Sequence, residues 1–516
     1  MSEAGSAGGS GAEYRGYLSK VTKEAGFAFS GKVFGLVFGF AAQAVIANLL
    51  GADLLGVFVL AWTVIQAFSI LTTFGFEGSL IRYVSMYVSQ GRFGAARRTV
   101  GLALRIGVGA ALVGVVAIIL LRRPLAISFF KEPRLVDALA WISFMLVPFT
   151  VMKILSGTLR GVKDVKRDVL GSDISYRVMR LVAFLAFFLL GWELRGIVGA
   201  AVVASTFSAS VLIAFVRKSP ARLFRPDADR EPIPAREIVM YSSAMLADTA
   251  MAFGMQHSDR LILGFYLPSA DVGIYNVAAL IASLTTFVLL SFNAIFSSVI
   301  ADVYHRGRTD LLRSLFRSVT RWIMIPTLAI YAWILAGGDA TLSVFGDEFV
   351  RGYPALALLA TGMSFGASAG SVGLCLAMTG HQRYNVLNTL AMAAISIGLN
   401  VVLVPRMGIA GAGLATGAAF VLVNIARIIE VRVLLGISPY GRGTIKVVLT
   451  AAIVLSAAFL VRRYVAVPHN LLGSVLTFVG SAGVVAGLTW AFGISDEDRM
   501  VLDSLAARFG RVRGRR

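Results

Sequence analysis

A motif of nine residues occurs twice in this chain, about 217 positions apart. Residues 50–58, LGADLLGVF, correspond to residues 267–275, LPSADVGIY. A second pair, GIVGAA at 196–201 and GIAGAG at 408–413, keeps nearly the same spacing, and its small residues favour close helix packing. Chance matches would not keep their spacing along the chain, so we infer that the sequence contains a duplicated unit.

Apolar segments of about twenty residues recur along almost the whole chain, from Ala25 to Gly493. A helix of that length crosses the hydrocarbon core of a bilayer, which is about 30 Å thick. Of the 516 residues, 57% are hydrophobic and 15% are charged, whereas about a quarter of the residues in a soluble domain are charged. The sequence therefore predicts an all-α integral membrane protein with about 14 transmembrane helices.

The repeat divides these helices into two lobes. Six predicted helices separate equivalent points, and an even number gives both copies the same orientation in the membrane, as in transporters built from parallel repeats. Two further helices follow the second lobe. The predicted bounds are 1–24 for a cytoplasmic N-terminal segment, 25–216 for the N-lobe, 217–236 for a cytoplasmic inter-lobe loop, 237–436 for the C-lobe, 437–493 for helices 13 and 14, and 494–516 for a basic cytoplasmic tail.

The chain has a formal net charge of +20. Its cations lie between the apolar segments and alternate between the two sides, which indicates membrane topology rather than nucleic-acid binding. With connections assigned to alternating sides, about 31 Lys and Arg residues fall on the side of the N-terminus and about 9 on the other. The positive-inside rule then predicts a multi-pass plasma-membrane protein with both termini in the cytoplasm, whose cations contact anionic lipids. Cys375 is the one cysteine, and no cluster of metal ligands or cofactor motif occurs. We therefore predict no metal and no cofactor.

Three stretches carry a family resemblance: the motif at 50–58, FGFEGSLIR at 74–82 and DRLILG at 259–264. They resemble polysaccharide transporters, the O-antigen-type branch of the multidrug/oligosaccharidyl-lipid/polysaccharide flippase superfamily, and the match covers the whole chain. The resemblance implies that the protein moves a polyprenyl-(pyro)phosphate-linked oligosaccharide from the cytoplasmic to the outer leaflet by alternating access. The expected partner is this lipid-linked glycan, and we expect the protein to act as a monomer.

Ionisable side chains within the membrane are costly and face protein or water, so clusters of them indicate functional sites. Arg177 and Arg180 share a helical face with Asp173, which is a candidate for coupling or gating. The candidate substrate-binding cations of the N-lobe are Lys32, Lys153, Arg160, Arg177 and Arg180. Such a lining suits a lipid-linked diphosphate, because Arg and Lys bind phosphate oxygens. Snorkelling to the headgroups is the alternative for the arginines nearest the helix ends.

The second lobe offers neutral groups at the equivalent helix. Asn385, Asn388 and Asn400 are candidate sugar contacts, although asparagine also serves as a hydrogen-bonding link between membrane helices. On helix seven, Asp248 is a candidate to pair with a cation or to bind the coupling Na⁺ or H⁺, and structural pairing is the alternative. Asp259 and Arg260 form a candidate structural or gating pair.

The sequence contains no nucleophile with a neighbouring base and no phosphate-binding loop of the P-loop type. We therefore predict a transporter rather than an enzyme, driven by an ion gradient, the membrane potential or the substrate gradient. A multidrug or small-molecule cation antiporter of the same superfamily is the alternative, disfavoured by the basic lining. A membrane glycosyltransferase or polymerase is disfavoured further, because the connections on the outer side are short.

Overall fold

The computed structural model describes the backbone of residues 4–218 and 232–491, and the side chains of residues 35–218 and 232–491 except Ile295, Ser298 and Arg442. Within these ranges the regular elements are helices, as predicted. The α-helices are α1 (Ala4–Thr73), α2 (Phe76–Ser89), α3 (Phe93–Arg123), α4 (Leu135–Ser143), α5 (Leu146–Gly161), α6 (Val165–Asp168), α7 (Ser175–Leu189), α8 (Glu193–Arg217), α9 (Ala235–Tyr266), α10 (Ser269–His305), α11 (Thr309–Ser343), α12 (Tyr353–Ser368), α13 (Val372–Met378), α14 (Gln382–Leu435), α15 (Arg442–Tyr464) and α16 (Leu471–Ala491).

Three short segments depart from α-helical geometry. Pro124–Phe129 and Val169–Ile174 are π-helical, and Asp347–Gly352 is a 3₁₀-helix that leads into α12. The second π-helical segment lies between α6 and α7, the region that carries several of the candidate cations. Wider turns of this kind are frequent at functional sites, because they re-aim the side chains that follow.

Nine helices in the described ranges are long and apolar enough to cross a bilayer, or up to eleven if each of two bent helix pairs forms one span. Among the described residues, three long helices contain a glycine with non-helical backbone, at Gly51 in α1, Gly337 in α11 and Gly408 in α14. At Gly51 (φ 73°) and Gly408 (φ 59°) the φ angle is positive. A left-handed backbone of this kind costs glycine little, which explains the residue type at both breaks. The integral membrane class is confirmed, and the count of 14 spans stays a prediction.

The chain folds into two compact units. The first, here the N-terminal unit, comprises residues 41–276 with 404–408. The second, the C-terminal unit, comprises residues 277–403 and 409–491, with the N-terminal part of α1 up to Phe40. The predicted lobe bounds remain predictions, and most of the predicted inter-lobe loop, together with the basic tail, lies outside the described residues.

In the N-terminal unit, α5 packs against α2, α3 and α8, and α7 packs against α8. The core contains the buried side chains of Leu55, Leu80, Ile154, Phe184 and Leu212. Lipid tails are as apolar as these side chains, so close van der Waals packing, rather than removal from water, holds membrane helices together. Such packing depends on small residues where two helices cross.

The C-terminal unit is built around α11, which packs against α12, α15 and α16. At the contact between α12 and α14, a β-carbon on Gly362 would overlap the backbone of Gly417, and one on Gly413 would lie 2.6 Å from the carbonyl oxygen of Ala355. Gly413 belongs to the second copy of the small-residue motif. The predicted close helix approach is therefore confirmed at this position.

Polar contacts attach the C-terminal helices α15 and α16 to α11. The indole nitrogen of Trp333 donates to the carbonyl oxygen of Ser474 at 3.0 Å. The guanidinium of Arg462 lies 2.6 Å from the carboxylate of Asp339 and 3.3 Å from the centre of the Tyr353 ring. The two helices that follow the repeat thus form part of the C-terminal unit.

Candidate functional site

Two predicted cations on α5 converge on one carboxylate of α2. The Lys153 ammonium lies 3.5 Å from Glu77, and the Arg160 guanidinium lies 3.2 Å from the other oxygen of the same carboxylate. Arg160 also pairs with Asp168 at 2.7 Å and donates to the hydroxyl of Ser156 at 2.9 Å. All these residues belong to the N-terminal unit, and we call the group the Glu77 cluster.

Glycine brings the two helices of the Glu77 cluster together. α1 ends and α2 begins through left-handed backbone at Phe74 (φ 48°) and Gly75 (φ 70°). On α5, a β-carbon at Gly157 would lie 3.0 Å from the Cα of Glu77 and would overlap its carbonyl oxygen. Any larger residue at position 157 would therefore push Glu77 away from Lys153 and Arg160.

A group of three aromatic rings joins α1, α5 and α7 beside the Glu77 cluster. Trp62 lies 5.9 Å from Phe149 and 6.3 Å from Tyr176, measured between ring centres. The Lys153 ammonium lies 5.8 Å from the centre of the Phe149 ring, and the Arg180 guanidinium lies 5.8 Å from that of Tyr176. A cation at this distance is attracted to the negative face of the ring. The outer rings, Phe149 and Tyr176, thus each contact one cation.

Arg177 and Arg180, one helical turn apart on α7, differ in their partners. Arg177 pairs with Asp173 at 3.1 Å, the spacing that the sequence predicted for one helical face. Arg180 is half-buried and forms no salt bridge with another residue of the described ranges. Lys153, Arg160 and Arg177 therefore each pair with a carboxylate, whereas Arg180 has no carboxylate partner among the described residues. The structure brings Lys153, Arg160 and Glu77 into direct contact and places Arg180 beside the aromatic group.

Lys32, the remaining predicted cation, lies outside the residues whose side chains the structure describes. Asp168 and the aromatic group were not among the predicted site residues, and Glu77 was not among the predicted substrate-binding or coupling residues. Glu77 lies within FGFEGSLIR, one of the stretches that carry the family resemblance, so the sequence did offer a signal for it. The aromatic residues carried no such signal, because aromatic side chains make up 10% of the chain and occur in many of its apolar segments.

Helix α9 carries the other charged candidates of the N-terminal unit. Asp248 is exposed, and it makes no hydrogen bond or ion pair with the described residues. Asp259 is buried, accepts a hydrogen bond from the Tyr275 hydroxyl at 2.7 Å and pairs with Arg260 at 3.6 Å. Arg260 also donates to Asn276 at 3.1 Å. Asp259 and Arg260 thus connect α9 with α10, whereas the role of Asp248 stays a prediction.

The three asparagines on α14 differ in their surroundings. Asn388 is buried and donates to Glu430 at 2.5 Å. Asn400 is fully buried and donates to the backbone and side chain of Ser396 within the same helix. Asn385 is half-buried near Gly373. In this conformation Asn400 therefore offers no surface to a sugar, and a sugar-binding role for these residues remains a prediction.

Charged groups also occur inside the C-terminal unit, where the sequence pattern pointed to neutral ones. Arg427 lies 3.5 Å from the hydroxyl of Thr389, and Glu430 binds Asn388. Arg321 on α11 is buried, with 6% of its surface exposed, and its guanidinium lies near Ser318. The contrast between a basic first repeat and a neutral second repeat is therefore smaller than the sequence suggested. Among the described residues, no group of three metal-binding side chains occurs.

A second polar network joins α1 near its break at Gly51, the residues just before α4 and the start of α10. Arg134 donates to both oxygens of Asp53, at 2.6 and 2.9 Å, and to Glu132 at 2.8 Å. The Ser269 hydroxyl lies 2.5 Å from Asp53 and 2.9 Å from Glu132, and it can donate its one proton to either carboxylate. We call these four residues the Arg134 network. The hydrogen bond from Arg134 lowers the pKa of Glu132, and its two acidic partners raise the pKa of Arg134.

The Arg134 network connects the two copies of the duplicated motif. Asp53 belongs to the first copy and Ser269 to the second, and both are in the N-terminal unit. The sequence repeat does not predict this contact, because Glu132 and Arg134 lie in a connection that has no counterpart among the matched stretches.

Comparisons with known proteins give a match at the level of the family. A sequence model of the family described as "Polysaccharide biosynthesis protein" matches residues 21–304, more than half of the chain. A curated relative, the "Probable flippase AglR" of Haloferax volcanii, is 31% identical over 210 residues. That match covers 38% of this chain and 42% of the relative.

Solved structures share the fold. An inward-facing multidrug resistance MATE family transporter of the MOP superfamily has a TM-score of 0.68 at 14% identity, covering 78% of this chain and 94% of that one. The lipid II flippase MurJ, in an inward closed conformation, has a TM-score of 0.66 at 11% identity, covering 90% and 99%. At sequence identities of 14% and 11%, the similarity to these two structures shows a shared fold.

Proposed function

This chain belongs to the polysaccharide biosynthesis protein family, and from that premise we propose that it is a flippase for a lipid-linked oligosaccharide. The curated relative is a probable flippase, and one structural neighbour is a lipid II flippase. The observation that carries the proposal is that the aromatic group contacts Lys153 through Phe149 and Arg180 through Tyr176, and that Arg180 has no carboxylate partner among the described residues. This arrangement suits an anionic headgroup bonded to a ring-containing glycan.

The chemistry of binding follows from the partners that the cations have within the protein. Lys153 and Glu77 are 3.5 Å apart, beyond the usual length of a charge-assisted hydrogen bond. Their side chains are 37% and 30% exposed, so the pair is weak and open to exchange. A diphosphate carries more charge than one carboxylate, and it would replace Glu77 as the partner of Lys153. Arg180 would then bind a second phosphate oxygen without giving up an ion pair.

Transport requires that this binding be reversible. Glu77 competes with the diphosphate for Lys153 and Arg160, and this competition limits the affinity for the headgroup. A site that bound the headgroup very tightly would not release it. Translocation is therefore favoured when the affinity for the headgroup is modest. In this proposal, Glu77 therefore takes the place of the diphosphate as the partner of Lys153 and Arg160. Glu77 re-forms these ion pairs when the cargo leaves.

The remaining parts of the proposal concern topology and energy. The protein resides in the plasma membrane with both termini in the cytoplasm, acts as a monomer and carries out transport rather than catalysis. Anionic lipids surround its basic connections. Na⁺ or H⁺ coupling through Asp248 supplies the energy, because Asp248 is exposed on a membrane helix and has no partner among the described residues.

A multidrug resistance transporter shares this fold, so an organic cation is the alternative cargo. An experiment can distinguish an organic cation from a lipid-linked glycan. The cationic groups beside the aromatic rings would repel an organic cation, which is the reason we favour the glycan over the multidrug alternative. If the alternative holds, cells that express the protein will resist cationic drugs, and no polyprenyl glycan will copurify with it. Mass spectrometry of the lipids bound to the purified protein separates the two outcomes.

The direct test of the proposal is transport by proteoliposomes that contain a fluorescent polyprenyl-diphosphate oligosaccharide. Reduction of the fluorophore by an impermeant reagent reports the fraction of the lipid that has changed leaflet. Arg177→Ala combined with Arg180→Ala should abolish this movement, whereas Arg105→Ala, which removes an exposed cation of α3, should not. Wild-type movement by the double variant would refute the role of the cations.

A further inference from the structure

The N-terminal unit contains a cavity of about 370 Å³ that is separate from the Glu77 cluster. It lies between the start of α4 and the turn from α7 to α8. Its polar and aromatic lining consists of Arg134, Asp137, Trp141, Trp192, Glu193 and Arg195. Trp141 and Lys153 are twelve residues apart along the α4–α5 pair, so the cavity lies about 18 Å along the helices from the cations.

Two tryptophans give the cavity apolar faces that are accessible from outside. Trp141 is 59% exposed and Trp192 is 51% exposed. One side of Trp192 packs against Phe187, with ring centres 5.4 Å apart and the rings nearly parallel. The adjacent turn is fixed by Gly191 (φ 80°), whose amide donates to the carbonyl of Phe188 at 2.9 Å. The Trp192 ring is therefore held in place.

The charged groups around these rings are balanced, and three of them have unused hydrogen-bonding capacity. Arg195, Asp137 and Glu193 form no ion pair or hydrogen bond with each other or with other residues of the described ranges. Arg134, in contrast, is held by Asp53 and Glu132 and forms a rigid part of the wall. The cavity thus presents donors and acceptors next to aromatic faces.

These features match the chemistry of a sugar. One face of a pyranose ring presents C–H bonds with partial positive charge, which suit the negative face of an indole. The hydroxyl groups at its rim are both donors and acceptors, so they can bind a guanidinium and a carboxylate at once. A diphosphate would find as many carboxylates as cations here, and its binding would be disfavoured.

An interfacial tryptophan belt would also place indoles at the ends of membrane helices. It would not, however, require Asp137, Glu193 and Arg195 around the same cavity, nor an indole whose position is fixed by a neighbouring ring. The volume lies within the usual range of small-molecule sites, about 300 to 1,000 Å³.

We propose that this cavity binds uncharged sugar residues of the transported glycan, at the end of the N-terminal unit away from the cationic cluster. The statement that this sugar is part of the cargo rests on the proposed flippase function. In the predicted topology the cavity opens on the outer side. It would therefore hold the glycan after its diphosphate has left Lys153 and Arg180, and it would lower the tendency of the cargo to return.

The test uses the full-length protein in lipid nanodiscs and three soluble probes: maltotetraose, an N-acetylglucosamine tetramer and a galacturonic acid tetramer. Saturation-transfer NMR measures the binding of each. We expect an uncharged tetramer to bind, and Trp141→Ala combined with Trp192→Ala to weaken it about tenfold, the effect of losing about 1.4 kcal/mol of stacking. Trp192→Phe keeps a flat ring and should retain most of the affinity.

Trp490→Ala is the matched control, since it removes a tryptophan that is 78% exposed on α16, in the other unit. Melting temperatures show whether each variant is folded. Binding of none of the tetramers to the wild-type protein, preferential binding of the acidic tetramer, or equal binding by the double tryptophan variant would overturn the proposal.

The same variants in the lipid transport assay separate this proposal from the flippase function. If the wild-type protein flips the fluorescent lipid but binds no tetramer, the sugar site is refuted and the flippase function stands. If tetramers bind through Trp141 and Trp192 but no lipid moves, the sugar site stands and the flippase function fails.

Discussion

Gly56 and Gly273 occupy equivalent positions in the two copies of the duplicated motif, and their backbones lie in direct contact. A β-carbon on Gly56 would lie 3.1 Å from the amide nitrogen of Gly273, and one on Gly273 would lie 3.0 Å from the amide nitrogen of Gly56. Each would also overlap a carbonyl oxygen, that of Ser269 or that of Ala52. The contact is reciprocal, as expected where two equivalent surfaces meet about a twofold axis.

This contact predicts that alanine is not tolerated at either position. Gly56→Ala and Gly273→Ala each force α1 and α10 apart, and overpacking of a tight contact costs about 1 to 3 kcal/mol. We expect both variants to melt at lower temperature than the wild-type protein. The measurement is thermal unfolding in detergent, followed by the loss of monodisperse protein.

Gly254→Ala is the control for these variants. Gly254 is also helical, on α9, but among the described residues no atom outside its own helix lies within 4 Å of the site of a new β-carbon. Alanine has a higher helix propensity than glycine, so this variant should be as stable as the wild-type protein or more so. If Gly56→Ala were equally harmless, the close approach of the two motif copies would not be required.

The Arg134 network predicts a pH-dependent contribution to stability. The Arg134 hydrogen bond holds the pKa of Glu132 below its ordinary value of 4.5. A lowered pKa in the folded state stabilises the fold above the unfolded pKa, and this stabilisation is lost as the pH falls through the folded value. Wild-type protein should therefore melt at higher temperature than Glu132→Gln at pH 6 to 7, and the difference should shrink as the pH falls below about 4.

Asp310→Asn provides the comparison for this measurement, because Asp310 is 93% exposed and pairs only at the surface with Arg313. Such pairs contribute about 0 to 1 kcal/mol. The difference between wild-type protein and this variant should be small at every pH. A Glu132→Gln variant that behaved in the same way would show that the network adds no stability.

Sequence reasoning recovered the helical class and the repeat because both depend on patterns that extend over many residues. Gly413 illustrates the small-residue motif, whose close packing, here against Ala355, was foreseen from its spacing alone. The contact between Gly56 and Gly273 was not foreseen, although both residues belong to the duplicated motif. A repeat shows that two segments have equivalent structures, but it does not show that they touch each other.

The candidate site was recovered less completely. The spacing of four residues predicted that Asp173 lies beside Arg177, because helical geometry fixes the distance between such positions. The two side chains form an ion pair at 3.1 Å. It could not show that Glu77 on α2 binds Lys153 and Arg160 on α5, since the partners of a charge on another helix depend on how the helices pack. For the same reason, spacing alone could not indicate that Asn400 is fully buried.

The Glu77 cluster predicts that removing its carboxylate strengthens anion binding. Glu77→Gln leaves Lys153 and Arg160 without their shared partner, so a diphosphate no longer competes with an internal carboxylate. Partly exposed ion pairs contribute up to about 1 kcal/mol, so the affinity should rise by up to about fivefold. Calorimetric titration of the detergent-solubilised protein with a short-chain polyprenyl diphosphate measures this change.

Lys153→Ala and Asp173→Asn complete this test. The first removes a proposed ligand and should weaken the binding of the diphosphate. The second removes the partner of Arg177, whose side chain is 42% exposed, and should raise the affinity less than Glu77→Gln does. Weaker binding by Glu77→Gln than by the wild-type protein would show that Glu77 positions the cations rather than competing for them.

Asp248 gives the last prediction, on the energy source. An exposed carboxylate on a membrane helix, with no partner among the described residues, can take up a proton or Na⁺ and so change the charge of the helix during transport. Asp248→Asn should abolish the dependence of lipid movement on pH or on Na⁺, whereas Asp248→Glu, which keeps a carboxylate, should retain it. The measurement is the rate of lipid movement in proteoliposomes across imposed gradients of each ion. An unchanged dependence in Asp248→Asn would remove this residue from the coupling mechanism, and energy from the membrane potential or the substrate gradient would then be the explanation to test.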